Sequence, residues 1–510
     1  MFRYIHLLIL SLIFIGCTKE LDYNTLTISY SADIRGFDPA FATDLRTGKV
    51  ISLVYDNLVR FDAEMNLVPA LAKSWSLSKT STKYTFNIRQ DVRFHDNTPL
   101  TINDIVKSFQ RVLASSTASP QTWLLERISG ARDYMQGARN HVQGLKIIDD
   151  STLVVKLNEP FAPFIQYLAM PATAIINVNS VESLSTTPAG SGPWKLAKWE
   201  RDGEIVLSSN IDYWEKPPEM EKMRIRILSE VMTQSAEFEA GSLDILEVPQ
   251  GELEYWQNLN YKLLEVDELN IWYVGMNCSR PPFNDIRLRR AMNYAIDREK
   301  IIHILLNGSA IPAKGPVPPQ LLAGLNGFGY EYNPTKALQL LQEAGYEKGL
   351  QVELYVAGGT GMFHVLEALQ SNWATVGINI EIKRSDWNVF KTAVREGQPD
   401  LYYLDWFADY PDGENFLYPL FHSSESMVKR NRFSDPDVDI IIEKIQRQTE
   451  TNTRDQLIIK ANKMVADAAP WVFLWHSKTT YLTQKWIHGF RPTPIFNANR
   501  YVNIFKLAPE

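Results

Sequence analysis

Cysteine is nearly absent from this 510-residue chain: only Cys17 and Cys278 occur, far apart, and the eight histidines are scattered. No Cys/His cluster has the spacing of a zinc site, so no metal or cofactor is expected. There is no excess of basic charge either. The net charge of −7 carries no electrostatic footprint for DNA, RNA or an anionic lipid surface. Repeats and low-complexity linkers are missing, and beyond the first sixteen residues no apolar run is long enough to span a bilayer. The chain contains no Gly-x-Ser-x-Gly elbow and no His-Glu-x-x-His pair, and the glycines of Gly358-Gly359-Thr360-Gly361 lack the Lys-Ser/Thr ending of a phosphate-binding loop. An enzyme is therefore not expected. What remains is ordinary globular composition, 45% hydrophobic and 22% charged, in a chain long enough for two to four domains at ~150 residues each.

At the amino terminus the apolar run Leu7 to Ile15 reaches only ~14 Å as a helix, about half a hydrocarbon core, and so reads as a secretory leader. Phe14-Ile15-Gly16-Cys17 resembles the bacterial lipoprotein signal, although Phe14 stands where leucine is usual. The resemblance implies removal of residues 1–16, lipidation of Cys17 and an extracytoplasmic, periplasmic chain anchored to a membrane by lipid. Cys278 is then a lone thiol without a disulfide partner.

One stretch mixes chemistries that do not usually share a segment. Leu404 to Phe416 carries Asp405, Asp409, Asp412 and Glu414 among Trp406, Phe407, Tyr410 and Phe416. Carboxylates held against aromatic walls are costly unless a cation compensates them. That cation is either internal, with Arg384, Arg395, Arg430 and Arg432 nearest in sequence, or a ligand ammonium. The first alternative makes the stretch an acidic turn after a buried strand Leu401 to Leu404, bent by Pro411 and Gly413.

The elements around it alternate between strand and helix, as an α/β protein requires. Leu26 to Tyr30 reads as a strand, Val50 to Val59 as a helix, and Lys83 to Arg89 as a strand; Thr101 or Asn103 caps a helix ending at Leu113. In the turn before that helix, His95 and Asp96 invite an acid/base reading, but their position favours a structural role. Trp194, Trp199 and Trp214 are expected in the core. The helix Ile286 to Ile296 presents Arg287, Arg289 and Arg290, read as a solvated face. Strands at Trp272 to Asn277, Leu350 to Val356, Ile378 to Ile382 and Trp471 to His476, with a helix Phe363 to Val376, complete the second half. His476 is expected at a polar strand end.

The succession Asp33-Ile34-Arg35-Gly36-Phe37-Asp38-Pro39, Leu67 to Trp75, Val92-Arg93-Phe94-His95-Asp96-Asn97-Thr98-Pro99-Leu100, Pro188-Ala189-Gly190-Ser191-Gly192-Pro193-Trp194 and Phe238-Glu239-Ala240-Gly241-Ser242-Leu243-Asp244 resembles the family 5 extracellular solute-binding proteins, the dipeptide and oligopeptide receptors of ABC importers. The resemblance implies a two-lobed α/β periplasmic-binding-protein fold with an extra domain inserted near the start, closing by a hinge around a central cleft. The borders follow by analogy: lobe I from residues 17–46, 163–268 and 485–510, the inserted domain 47–162, lobe II 269–484, with hinge crossings near Leu269 and Gln484.

Function follows from the same resemblance. The chain is expected to capture short peptides as a monomer and deliver them to an ABC permease in the inner membrane. Trp406-Phe407-Ala408-Asp409-Tyr410 matches the segment that lines the cleft in such receptors, which makes Asp409 the anchor for the peptide's α-ammonium. Backbone groups near Asp405 and Phe407, with Asp33 and Ile34, are expected to pair with the peptide main chain as an added strand. Some such receptors place arginines before this motif for the peptide carboxylate. The nearest counterparts are Tyr403, which is not cationic, and Arg395, one place out of spacing. A receptor for a nickel chelate, haem or an oligosaccharide, or a structural envelope lipoprotein, are the alternatives; His422 is the only histidine near the cleft segment.

Overall fold

The computed structural model describes residues 22–249, 251–259, 261–322, 329–358 and 362–508. The leader with Cys17 and the glycine turn at 359–361 lie outside the described residues.

The first strand, β1 (Thr25–Tyr30), leads into helix α1 (Leu45–Val54), where Asp44 accepts from Thr47 N at 3.0 Å. The helix thus begins five residues before the expected Val50 and ends at Val54. A side chain that supplies an N-cap this early outweighs apolar spacing as a start signal. An inserted antiparallel sheet follows, made of β2 (Ala72–Leu77), β3 (Lys83–Ile88), β4 (Leu145–Asp149) and β5 (Thr152–Lys156) in the order β2-β3-β5-β4. Its helix α2 (Ile102–Leu113) opens with a capping box in which Thr101 N donates to Asp104 at 2.9 Å. Ile102, Ile105, Phe109 and Val112 form the helix's apolar stripe and pack with Phe86 and Leu153 of the sheet.

The chain then returns to β1. Strands β6 (Trp194–Glu200), β7 (Glu204–Ser209) and β8 (Lys222–Ile227) complete a sheet of order β1-β8-β7-β6, with β1 and β8 parallel. The turn before β6 is built on glycine. A Cβ on Gly190 would lie 2.0 Å from Val54 O, and one on Gly192 2.5 Å from Leu53 O, so only glycine lets this loop close on the end of α1. His95 clasps the same loop: its amide donates to Gly190 O at 2.7 Å and its ring Nε2–H donates to Gly192 O at 3.0 Å. Burial pushes the imidazole down to about 4, so it is neutral at pH 7.

The largest sheet takes β9 (Ile245–Glu247), β10 (Leu263–Asp267), β11 (Asn270–Met276), β12 (Ala310–Pro312), β13 (Leu350–Ala357), β14 (Ile378–Ser385), β15 (Leu401–Phe407) and β16 (Trp471–Thr483). They form one sheet with the path β9-β16-β11-β15-β13-β14, and β10 and β12 also pair with β16. The long β16 binds β11 through its first residues and β9 and β10 through its last. Helices α3 (Ile286–Tyr294) and α4 (Phe363–Ala374) cover one face of this sheet, where Val274, Leu354 and Tyr403 pack. Helices α6 (Pro436–Arg447) and α7 (Thr451–Ala468) cover the other with Tyr273, Tyr402 and Trp471, while α5 (Trp387–Arg395) connects β14 to β15. A strand covered on both sides must be apolar at every position, which is why Leu401 to Leu404 reads as a continuous run. The molecule is thus two α/β lobes with an inserted β-sheet domain.

Of the arginines of α3, Arg287 is solvent-exposed as expected, but Arg289 and Arg290 are not part of a solvated face. Arg289 is 7% exposed and donates to the carbonyls of Ala468 and Ala469 at the end of α7 and to Phe283 O; Arg290 donates to Asp467 O, and Arg287 to Glu343 O at the end of helix Pro334–Glu343. Terminal carbonyls of a helix lack partners and carry its negative dipole end, so guanidinium groups belong there. Charge patterning along one helix cannot reveal the end of another.

Trp194 is fully buried, as expected, whereas Trp199 and Trp214 are half-buried and use their indole N–H groups on Asp33 and Asp56. His476 is buried within β16 rather than at its edge, its ring bonded to Asn270 O.

Candidate functional site

Strand β15 leaves the sheet at Phe407, opposite Asn270, and Ala408 N then donates to Leu269 O at 2.8 Å. Asp409 therefore emerges beside the β10–β11 crossing. The loop that follows is held by its own acids and amides: Asn415 Oδ1 accepts from Asp409 N at 3.0 Å, and Asp412 Oδ1 accepts from Glu414 N at 2.9 Å.

Asp412 and Glu414 are committed internally. Arg454, in the first turn of α7, donates to Asp412 Oδ1 at 2.9 Å, and Gln166, just after the inserted segment, donates to Oδ2. Glu414 is fully buried and accepts from Gln446 at 2.7 Å and from the Tyr410 hydroxyl. Burial, reinforced by the neighbouring Asp412, raises its carboxyl above the usual range. Tyr410 is no cleft wall: 2% exposed, it stands edge-on to Tyr167 at 5.0 Å and belongs to the inserted domain's core. The internal cation of this turn is therefore Arg454. None of Arg384, Arg395, Arg430 or Arg432 takes that place, because α7 folds back against the loop from forty residues later. Arg454→Met strands the Asp412 charge, and a loss of about 3–5 kcal/mol is expected in equilibrium unfolding. Adding Asp412→Asn to the same chain is expected to restore most of it.

Asp409 and Asp405 are different. Asp409 is half-buried and, among the described residues, makes no ion pair; desolvation pushes its carboxyl up to about 6, only partly opposed by the Asn415 side chain. Asp405, across from Trp272, is likewise raised by burial, with Arg430 opposing weakly and no ion pair among the described residues. Trp406 beside them is half-buried, and among the described residues its indole Nε1 has no hydrogen-bond partner. Two desolvated carboxylates without a cation are destabilising in the ligand-free protein and favour an incoming ammonium.

The other expected residues are dispersed. Asp33 follows β1 and accepts from Trp199 Nε1 at 3.1 Å, from Asp202 N at 3.1 Å and from Ile34 N at 2.8 Å. The Ile34 amide is thus occupied. Tyr403 is 3% exposed and stacks on Trp272 inside the lobe II core, 5.3 Å between centroids. As an alternating residue of a strand covered on both faces it cannot reach a ligand carboxylate. Arg395 ends α5 on the surface, and among the described residues no ion pair joins it to the central stretch.

At the end of β15, beside Phe407 and Ala408, the structure holds a cavity of about 100 Å³. Phe407 and Ala408 line it together with Leu45 and Lys49 of α1, Glu268 at the crossing and Tyr481 of β16. Glu268 Oε1 accepts from Thr479 Oγ1 and Oε2 from Asn270 Nδ2 at 2.8 Å, and burial pushes the carboxyl up to about 7. Lys49 and Glu268 were invisible in the sequence, because no motif marks them; Asn415 was visible only as part of Asp-Gly-Glu-Asn. Among the described residues no group of three or more His, Cys, Asp or Glu side chains is arranged to hold a metal, and no helix is long and apolar enough to cross a membrane.

A family model described as bacterial extracellular solute-binding proteins, family 5 middle, matches residues 66–427. The chain is 28% identical to heme-binding protein A of Haemophilus influenzae, covering 90% of this chain and 88% of that protein. It is 26% identical to the dipeptide-binding protein of Escherichia coli over 95% of each chain. Among solved structures, HbpA2 from Haemophilus parasuis superposes with a TM-score of 0.82 at 26% identity, covering 95% of this chain and all of that one.

Proposed function

The chain belongs to the bacterial extracellular solute-binding proteins of family 5, and from that membership we propose that it captures short peptides in the cleft beside Asp409 and delivers them to an ABC permease. The observation that carries the reading is the Asp409 carboxylate: desolvated, unpaired among the described residues, and placed where β15 leaves its sheet. An ammonium group entering as the lobes close supplies the missing charge while water is excluded, so closure and binding reinforce each other. Main-chain pairing along Asp405 to Phe407 adds affinity that does not depend on side chains. In this proposal lobe I comprises 17–46, 163–268 and 485–510, the inserted domain 47–162 and lobe II 269–484. The hinge lies at Leu269 and Gln484, where β10 and β16 carry the chain between lobes. Asp33 contributes structure through Trp199, and the Ile34 carbonyl is the group left to pair with a ligand. Cys17 anchors the processed, monomeric chain to a membrane by lipid, outside the cytoplasm.

Native mass spectrometry of the mature protein, purified without added ligand and then gently unfolded, is expected to release a ladder of short peptides. Release of haem, a metal chelate or a sugar in their place would overturn the peptide assignment.

A further inference from the structure

We propose that the cavity beside Phe407 and Ala408 is the carboxylate end of the binding site, with Lys49 of α1 and Glu268 of the β10–β11 crossing closing on the ligand's free carboxylate from two sides. This rests on the peptide reading above and identifies the second charged pole, which neither Tyr403 nor Arg395 supplies.

Four observations converge on it. The cavity, with room for about three waters, is lined by Phe407 and Ala408, the two residues that precede the amine anchor, so it continues the cleft along the same strand. Lys49 is half-buried on its wall, and among the described residues no carboxylate lies within ion-pair distance of it; its ammonium stands 6.0 Å from the centre of the Tyr30 ring. An ammonium held there without an anion is incompletely compensated. Glu268, on the cavity wall, is desolvated and stays partly protonated near neutrality; Glu247 of β9 and Asp405 of β15 push its carboxyl up, while Lys49 opposes them and Thr479 hydrogen-bonds to it. Tyr481 and Tyr501 also line the space, and the Lys478–Asp267 pair, 3.7 Å apart, neutralises the adjoining rungs of β16 and β10. A protonated Glu268 donates to a carboxylate, whereas an ionised one repels it. Finally, α1 packs against β1, outside lobe II, and Phe407 ends a lobe II strand, so an anion in this cavity bridges the two.

The sign of the pH dependence follows. Glu268 favours the carboxylate below about 7 and opposes it above, so affinity declines as pH rises through that value. The peptide's own amine, which titrates near ~8, sets a second limit slightly higher.

Isothermal titration of the mature chain with di-, tri- and tetra-alanine and with their carboxyl-terminal amides tests the assignment. The wild-type protein is expected to prefer acid over amide at least tenfold. Lys49→Met brings that ratio to within twofold of one, and Lys49→Arg restores it. Glu268→Gln, whose amide donates at every pH, moves the alkaline limb for the acids from about 7 toward ~8. Wild-type protein that binds acids and amides equally, or Lys49→Met protein that keeps its preference, overturns the assignment while leaving peptide capture intact. Wild-type protein that binds none of these peptides in either form overturns peptide capture, and the carboxylate pole with it.

Discussion

Asp409→Asn is expected to weaken binding of free-amine peptides at least tenfold, about 1.4 kcal/mol, and at the same time to stabilise the ligand-free protein. Both effects come from one desolvated charge. In the folded, empty protein the carboxyl stands at about 6 against an ordinary 3.8. Because the folded value is the higher one, this residue's contribution to stability is fully present below pH 4 and is lost as pH rises through 6. At pH 7 the two-unit difference corresponds to no more than about 3 kcal/mol. The neutral amide does not incur that cost, so the variant melts higher when empty. A peptide ammonium reverses the balance for the wild type, since it favours the ionised form. Wild-type affinity therefore falls as pH drops below 6, and the variant's does not. Calorimetric titration from pH 5 to 8, with thermal melts of both proteins with and without peptide, reads all of this. Equal affinities at pH 7 would remove Asp409 from the site.

The second large effect lies far from the cleft. Arg500→Met is expected to cost about 3–5 kcal/mol, a large share of the 5–15 kcal/mol that typically holds a folded protein together. Asp56, with a fully buried side chain, meets Arg500 at 2.7 Å and also accepts from Trp214 at 2.9 Å and from Tyr213 and Ser191 at 3.1 Å. Arg500 in turn donates to Ser52 O and Tyr55 O at the end of α1, and its own carbonyl accepts from the Trp194 indole. Removing the guanidinium leaves a buried carboxylate with neutral donors alone and frees the carboxyl-terminal return from lobe I. Denaturant unfolding of Arg500→Met, compared with Asp56→Asn/Arg500→Met, separates the two contributions. The double variant is expected to recover most of the loss, because the stranded charge rather than the missing contact dominates.

The same contrast, between charges whose partners are near in sequence and charges whose partners are distant, divides what could be read from the chain. The order of strands and helices was legible where an element states itself locally: Thr101 and Asp104 cap α2, and the doubly covered stretch from Leu401 to Leu404 is apolar at every position. The mixture of acids and aromatics from Leu404 to Phe416 was legible as a segment whose charges need compensation, but which group compensates each of them was not.

Sequence alone therefore determined the alternation of strands and helices and the family resemblance, both of which depend on residues within a few positions of one another. Only the tertiary structure decided which carboxylates are free. Arg454 reaches Asp412 across 42 residues and Tyr167 reaches Tyr410 across 243, so Asp412, Glu414 and Tyr410 became supports. Asp409 and Asp405 were left without a cation, and Lys49 was placed across from Glu268. A charge's role is set by what compensates it, and in a chain that leaves lobe I, builds lobe II and returns, the compensating group comes from whichever distant segment the fold brings alongside.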